Sequence, residues 1–155
     1  MLVASAAAAG VLSHVLYFNK GEHHMWGIRY LITFATVFLG SIIALVQLSG
    51  WPVLAAISTT AIISSTYLAG LLTSLLVYRI WLSPLNKFPG PFGAKISGLW
   101  MTVHGRNSDL YLKNTELHKK YGKYVRIGPN ILSITDADIH EPAFDIKKPW
   151  PKAEW

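Results

Sequence analysis

The chain predicts a mostly α-helical membrane protein in which three transmembrane helices lead into a proline-rich hinge, one amphipathic helix and a short β-hairpin. Three observations carry that reading. Between Tyr30 and Tyr78 there is no acidic or basic side chain, and such a run is long enough to cross a bilayer twice, since one helical span takes about 20 residues. Twelve of the fourteen Lys and Arg lie at or after Arg79, so the basic part begins where the apolar part stops. The join is Pro84-Leu-Asn-Lys-Phe-Pro-Gly-Pro91, which cannot continue a helix.

The first span covers residues 2–18, rich in alanine with His14 as its only side chain that ordinarily titrates near neutral pH, and is closed by Asn19-Lys-Gly-Glu-His-His24. The second covers 26–48. Arg29 lies near enough to its end to snorkel, and Trp26 and Tyr30 suit the aromatic belt at a membrane surface. Gly50, Trp51 and Pro52 punctuate the chain and predict a tight turn into the third span, 52–80. Residues 1–82 therefore form the anchor. The Gly50 turn holds no positive charge, whereas the first link holds Lys20 and the tail is basic. The excess of Lys and Arg on cytoplasmic loops then places the N-terminus and the Gly50 turn in the lumen, with the first link and the tail in the cytosol. A competing reading makes residues 1 to about 20 a cleaved signal peptide, but the basic region that opens such peptides is missing.

Polar residues inside the spans have a structural role in this reading. Ser58, Thr59, Thr60, Ser64, Ser65, Thr66 and Tyr67 are expected to bond their own helix or a neighbour, as Ser and Thr do in membrane helices. Channels and pumps usually need intramembrane carboxylates or arginines, and none occurs between Tyr30 and Tyr78. His23 and His24 beside Glu22 do not have the spacing of a metal site and are expected in a solvated interfacial loop. The net charge of +6 argues weakly for nucleic acid, because the basic residues flank a span and alternate with acids; charge of this kind lies near anionic headgroups. With no cysteine there is no disulfide framework, thiolate ligand or cysteine nucleophile.

Residues 83–107 form the hinge and linker, with Pro84, Pro89 and Pro91 favouring an extended, stiff segment. A helix over 108–121 follows, with Ser108 as N-cap, Asp109 at the positive end of the dipole, Lys119 and Lys120 at the negative end and Gly122 as the stop. Leu110, Leu117 and Tyr121 mark its apolar face. Residues 124–127 and 131–135 read as two strands joined by a turn at Gly128-Pro129-Asn130. Thr135 or Asp136 then caps a short helix that runs to about Glu141 and is limited by Pro142. No phosphate-binding glycine pattern occurs.

The order of apolar anchor, Pro84-Leu-Asn-Lys-Phe-Pro-Gly-Pro91, Leu117-His-Lys-Lys-Tyr-Gly122, Val125-Arg-Ile-Gly-Pro-Asn130 and Leu132-Ser-Ile-Thr135 resembles the N-terminal part of a fungal microsomal cytochrome P450 monooxygenase. The link Tyr17-Phe-Asn-Lys-Gly-Glu-His-His24 is similar to multi-span anchors of P450s in fungal secondary metabolism. The resemblance implies endoplasmic reticulum localisation, a cytosolic C-terminus and an incomplete P450 fold in residues 108–155, truncated before the haem-binding region. It also implies haem held by a cysteine thiolate, which this chain lacks. His104, His118 and His140 are poor substitutes, because a hinge, one long helix and a hairpin close no distal pocket.

The expectation is therefore a catalytically inactive, truncated P450-like membrane protein. No catalytic, cofactor-binding or metal residues are assigned, no cofactor is expected, and the lipid bilayer is the partner. Two alternatives stay open. One is a small membrane adaptor for a full-length P450 or its reductase; the other is a fragment of an active monooxygenase.

Overall fold

The computed structural model describes residues 1–21, 23–105 and 109–139. It divides into two units, residues 1–75 and a second that begins at Leu76.

In the first unit, α1 (Leu2–Ser13) continues through a wider π turn, His14–Phe18, and a 3₁₀ turn at His24–Trp26 leads into α2 (Gly27–Ser49). Gly50 ends α2 in the left-handed conformation, with φ of 66°, which glycine adopts without a Cβ penalty. After Trp51 and Pro52, α3 (Val53–Val77) begins, carries the chain across the boundary between the units and widens into a π turn at Tyr78–Leu82. The turn at residues 50–52 thus forms where Gly and Pro predicted it.

The expectation of three spans is corrected to two among the described residues. There the helices long and apolar enough to cross a membrane are Gly27–Ser49 and Val53–Lys87, while Leu2–Phe18 is a shorter apolar helix. Its 17 residues rise only about 25 Å at 1.5 Å each, against a hydrocarbon core of about 30 Å.

α1 packs on α3 through the smallest side chains. A Cβ added to Gly10 would overlap the Tyr67 carbonyl oxygen, and one added to Gly70 would overlap the Ala7 carbonyl oxygen. Backbones approach this closely only where both helices present glycine or alanine. Two polar contacts flank the glycines: Ser13 Oγ with Tyr67 Oη at 3.0 Å, and His14 Nδ1 with Ser74 Oγ at 2.8 Å. Residues 7, 10, 13 and 14 of the first apolar helix thus meet positions 67–74 of α3. Thr66 donates to the Ile62 carbonyl and Ser58 to that of Ala55, as read, whereas the buried Thr60 hydroxyl, contrary to that reading, bonds neither its own helix nor a neighbour.

In the second unit the described part of the hinge and linker, residues 83–105, is extended only in places, as at Phe88 and Pro91. Pro84–Lys87 is a 3₁₀ turn, Phe92–Ile96 is α4 and Leu99–His104 is α5. Proline breaks a helix from inside but is preorganised for its first turn, and both turns begin that way. Ser83 caps the first by accepting from the Leu85 N–H, and Pro91 stands immediately before α4. The Trp100 ring of α5 lies against Gly93 of α4.

α6 spans Leu110–Tyr121 with Asp109 at the N-cap, where it makes no side-chain capping bond; Ser108 lies outside the described residues. Gly122 stops the helix with φ of 95°. The strands β1 (Tyr124–Arg126) and β2 (Leu132–Ile134) pair antiparallel with Val125 opposite Ser133, each slightly shorter than predicted. Ala137–Ile139 forms one 3₁₀ turn, and the helix expected to reach Glu141, with Pro142 and the tail, lies outside the described residues. Ala94 and Val125 are fully buried, as is the whole of Arg126.

Candidate functional site

Three places held histidines of interest. His23 is fully engaged: Nδ1 meets the Tyr30 hydroxyl at 2.7 Å and Nε2 meets the Lys20 carbonyl at 2.7 Å. Tyr17, Phe18, His23 and Tyr30 close into one aromatic cluster with ring centroids 4.9 to 6.4 Å apart, which ties the end of the first apolar helix to the start of α2. Nearby, the Arg29 guanidinium sits 4.5 Å over the Trp26 ring, a pairing that suits a membrane surface. Glu22 and the His24 side chain lie outside the described residues. Among the described residues no group of three His, Cys, Asp or Glu could hold a metal ion.

His118 serves packing. Its Nδ1 lies 2.9 Å from the Gly122 carbonyl, so that nitrogen donates, and Nε2 accepts from Ser133 Oγ at 2.8 Å. Ser133 accepts in turn from Asn114 Nδ2 at 3.2 Å. The chain of bonds joins α6 to β2. His104 Nδ1 donates to the Trp100 carbonyl at 2.8 Å, and its ring stacks on Trp100 at 4.2 Å. His140 lies outside the described residues.

Beyond the hairpin turn, Asp136 accepts from Lys123 Nζ at 2.8 Å and from the Tyr124 hydroxyl at 2.7 Å. These bonds, Lys123 first, hold the Asp136 carboxyl below its ordinary range, and they raise the Lys123 ammonium and the Tyr124 hydroxyl above theirs.

The most constrained group is one the sequence reading gave no role. Arg126 is fully buried. Its Nη1 donates to Asn86 Oδ1 at 2.6 Å and to the Arg79 carbonyl at 3.2 Å, Nη2 to the Pro129 carbonyl at 2.7 Å, and Nε to the Gly128 carbonyl at 3.3 Å. All four acceptors are neutral oxygens, so burial pushes the guanidinium below its ordinary range, partly offset by Tyr78. The signal was a lone arginine between Val125 and Ile127 in a run of β-formers, where a long charged side chain must either reach solvent or find several acceptors.

No protein-family model and no solved structure matches the chain. Curated relatives do match. The chain is 44% identical over 126 residues to the cytochrome P450 monooxygenase notG' of Aspergillus versicolor, covering 81% of this chain and 23% of that protein. It is 37% identical over 163 residues to the cytochrome P450 monooxygenase lcsK of Purpureocillium lilacinum, covering 98% and 28%. A tryprostatin B 6-hydroxylase of Neosartorya fischeri is 35% identical over 149 residues, covering 93% and 26%. The chain spans about a quarter of the length of the relatives it matches.

Proposed function

This chain is homologous to fungal cytochrome P450 monooxygenases over about a quarter of their length, and from that premise we propose that it is the membrane anchor and leading segment of a P450-type protein, with no haem chemistry within its 155 residues. The match to lcsK over 98% of the chain but only 28% of that protein carries the reading. Two long apolar helices joined by a three-residue turn support the anchor.

The haem of the relatives does not fit the residues present. A thiolate ligand needs cysteine, and the chain has none. Both ring nitrogens of His118 are bonded within the fold, and His104 is stacked on Trp100 and bonded to its own helix. Oxygen activation in any protein that carries this segment falls to residues outside it.

The anchor lies in the endoplasmic reticulum membrane as a helical hairpin of α2 and α3, with the Gly50 turn in the lumen and the basic second half in the cytosol. α1 enters the bilayer alongside α3 without the length to cross it unaided. The test is a carbon monoxide difference spectrum of reduced membranes that contain these 155 residues alone. A featureless spectrum is expected; a haem-thiolate Soret band would overturn the reading, and recovery of a P450 or its reductase bound to the chain in mild detergent would favour an adaptor.

A further inference from the structure

We propose that Arg126 is a positioning residue that converts the 84–91 segment from a hinge into a fixed strut, stapled to the outer edge of β1 next to the last turns of the long apolar helix. The staple has two halves. In the backbone half, Arg126 N–H donates to the Pro89 carbonyl at 2.8 Å. β2 occupies the other edge of β1, where Ile127 N–H donates to the Ile131 carbonyl and Thr135 N–H to that of Lys123, so the N–H of Arg126 points to the edge that β2 leaves open. The Pro89–Gly90 backbone fills that edge, and a Cβ at Gly90 would overlap the Arg126 carbonyl oxygen. Only glycine allows the segment so close.

In the side-chain half, one guanidinium bonds the Arg79 carbonyl, the Asn86 side chain and the Gly128 and Pro129 carbonyls. These acceptors belong to the helix exit, the proline turn and the hairpin turn. Arginine suits the task because its five donors lie in a rigid plane, whereas the ammonium of lysine is a point charge on a flexible stem. Burying a cation among neutral oxygens is unfavourable unless nearly every donor is satisfied. Moving any one of the three elements away leaves donors unmet, so the elements shift together or not at all. That the strut leaves a membrane rests on the anchor reading above; the stapling itself does not.

The test is tryptic cleavage kinetics of the full chain in mild detergent, where the result is independent of membrane topology. Cleavage after Lys87 reports local opening of the strut, and cleavage after Lys119 and Lys120 reports opening of α6. Arg126→Met and Arg126→Lys are each expected to speed the Lys87 cut by about ten-fold or more, with the α6 cuts changed less than about two-fold, because a locally ordered site is cut in proportion to its opening. Asn86→Asp, which sets a carboxylate against the guanidinium, is expected to leave the Lys87 rate unchanged or slower. An unchanged Lys87 rate in Arg126→Met overturns the proposal. Equal acceleration at all sites also overturns it, since Arg126 would then support the whole unit rather than the strut, and so does an Asn86→Asp chain cut as fast as Arg126→Met.

Discussion

Replacing Gly70 with leucine should detach α1 from α3. The Gly70 hydrogen faces the Ala7 carbonyl so closely that even a methyl group overlaps it, and the obstacle is backbone, which no rotamer change relieves. The helices must therefore separate and lose the Ser13–Tyr67 and His14–Ser74 contacts. Such bonds inside membranes are worth about 0.6 kcal/mol each on average. The His14–Ser74 bond is the costlier of the two, because His14 is only 4% exposed and losing a partner in apolar surroundings costs about 1–3 kcal/mol. The sum, about 2 kcal/mol or more, lowers the ratio of docked to undocked α1 by about thirty-fold. Because the chain has no cysteine, Ala7→Cys with Leu71→Cys gives a background-free pair beside the two glycine contacts, read with a short bifunctional thiol reagent in microsomes. Cross-linking should be efficient with Gly70 and nearly lost with Gly70→Leu. His14→Leu keeps the glycine contacts and should reduce it far less. Equal cross-linking with glycine and leucine at position 70 would refute the packing argument.

Gly90→Ala should destabilise the second unit by about 1–3 kcal/mol through overlap with the Arg126 carbonyl, whereas Gly98→Ala, where nothing lies within 4 Å and φ is −62°, should be neutral or gain about 0.4–1 kcal/mol from a less flexible unfolded chain; thermal denaturation in detergent compares the two. Asp136 has a depressed pKa, so its contribution to stability is present above the ordinary aspartate value of about 4 and disappears as pH falls through the lower folded value. A carboxyl NMR titration should find that depression, and Lys123→Met should move the midpoint back toward the ordinary value. A midpoint unmoved by Lys123→Met would show that the Lys123 bond does not hold the carboxylate.

Patterns with local causes were legible in the sequence. Gly50 and Pro52 set the turn between α2 and α3, Gly122 ended α6, and the β-formers on either side of Gly128-Pro129-Asn130 placed the hairpin. Each of these signals acts within a few residues. What escaped depends on partners distant in sequence. Gly10 and the alanines before it left a signal peptide as the competing reading, because their role as a close-packing surface exists only once Gly70 and Tyr67 are opposite. Pro84, Pro89 and Pro91 read as an extended hinge, because the acceptor roles of Pro89 and Asn86 need Arg126, far along the chain. Arg126 itself appeared only as one residue of a family-like string. The short helices α4 and α5 are too brief to leave an apolar period, and Trp100 over Gly93 shows that packing rather than propensity sustains them.

The anchoring claim is tested most directly by mapping the hairpin of α2 and α3 in sealed microsomes, with a glycosylation acceptor in a lengthened loop at Gly50 and an epitope after residue 155. The account predicts a loop that is glycosylated and an epitope that added protease removes without detergent. An unmodified loop together with a protected epitope would contradict it.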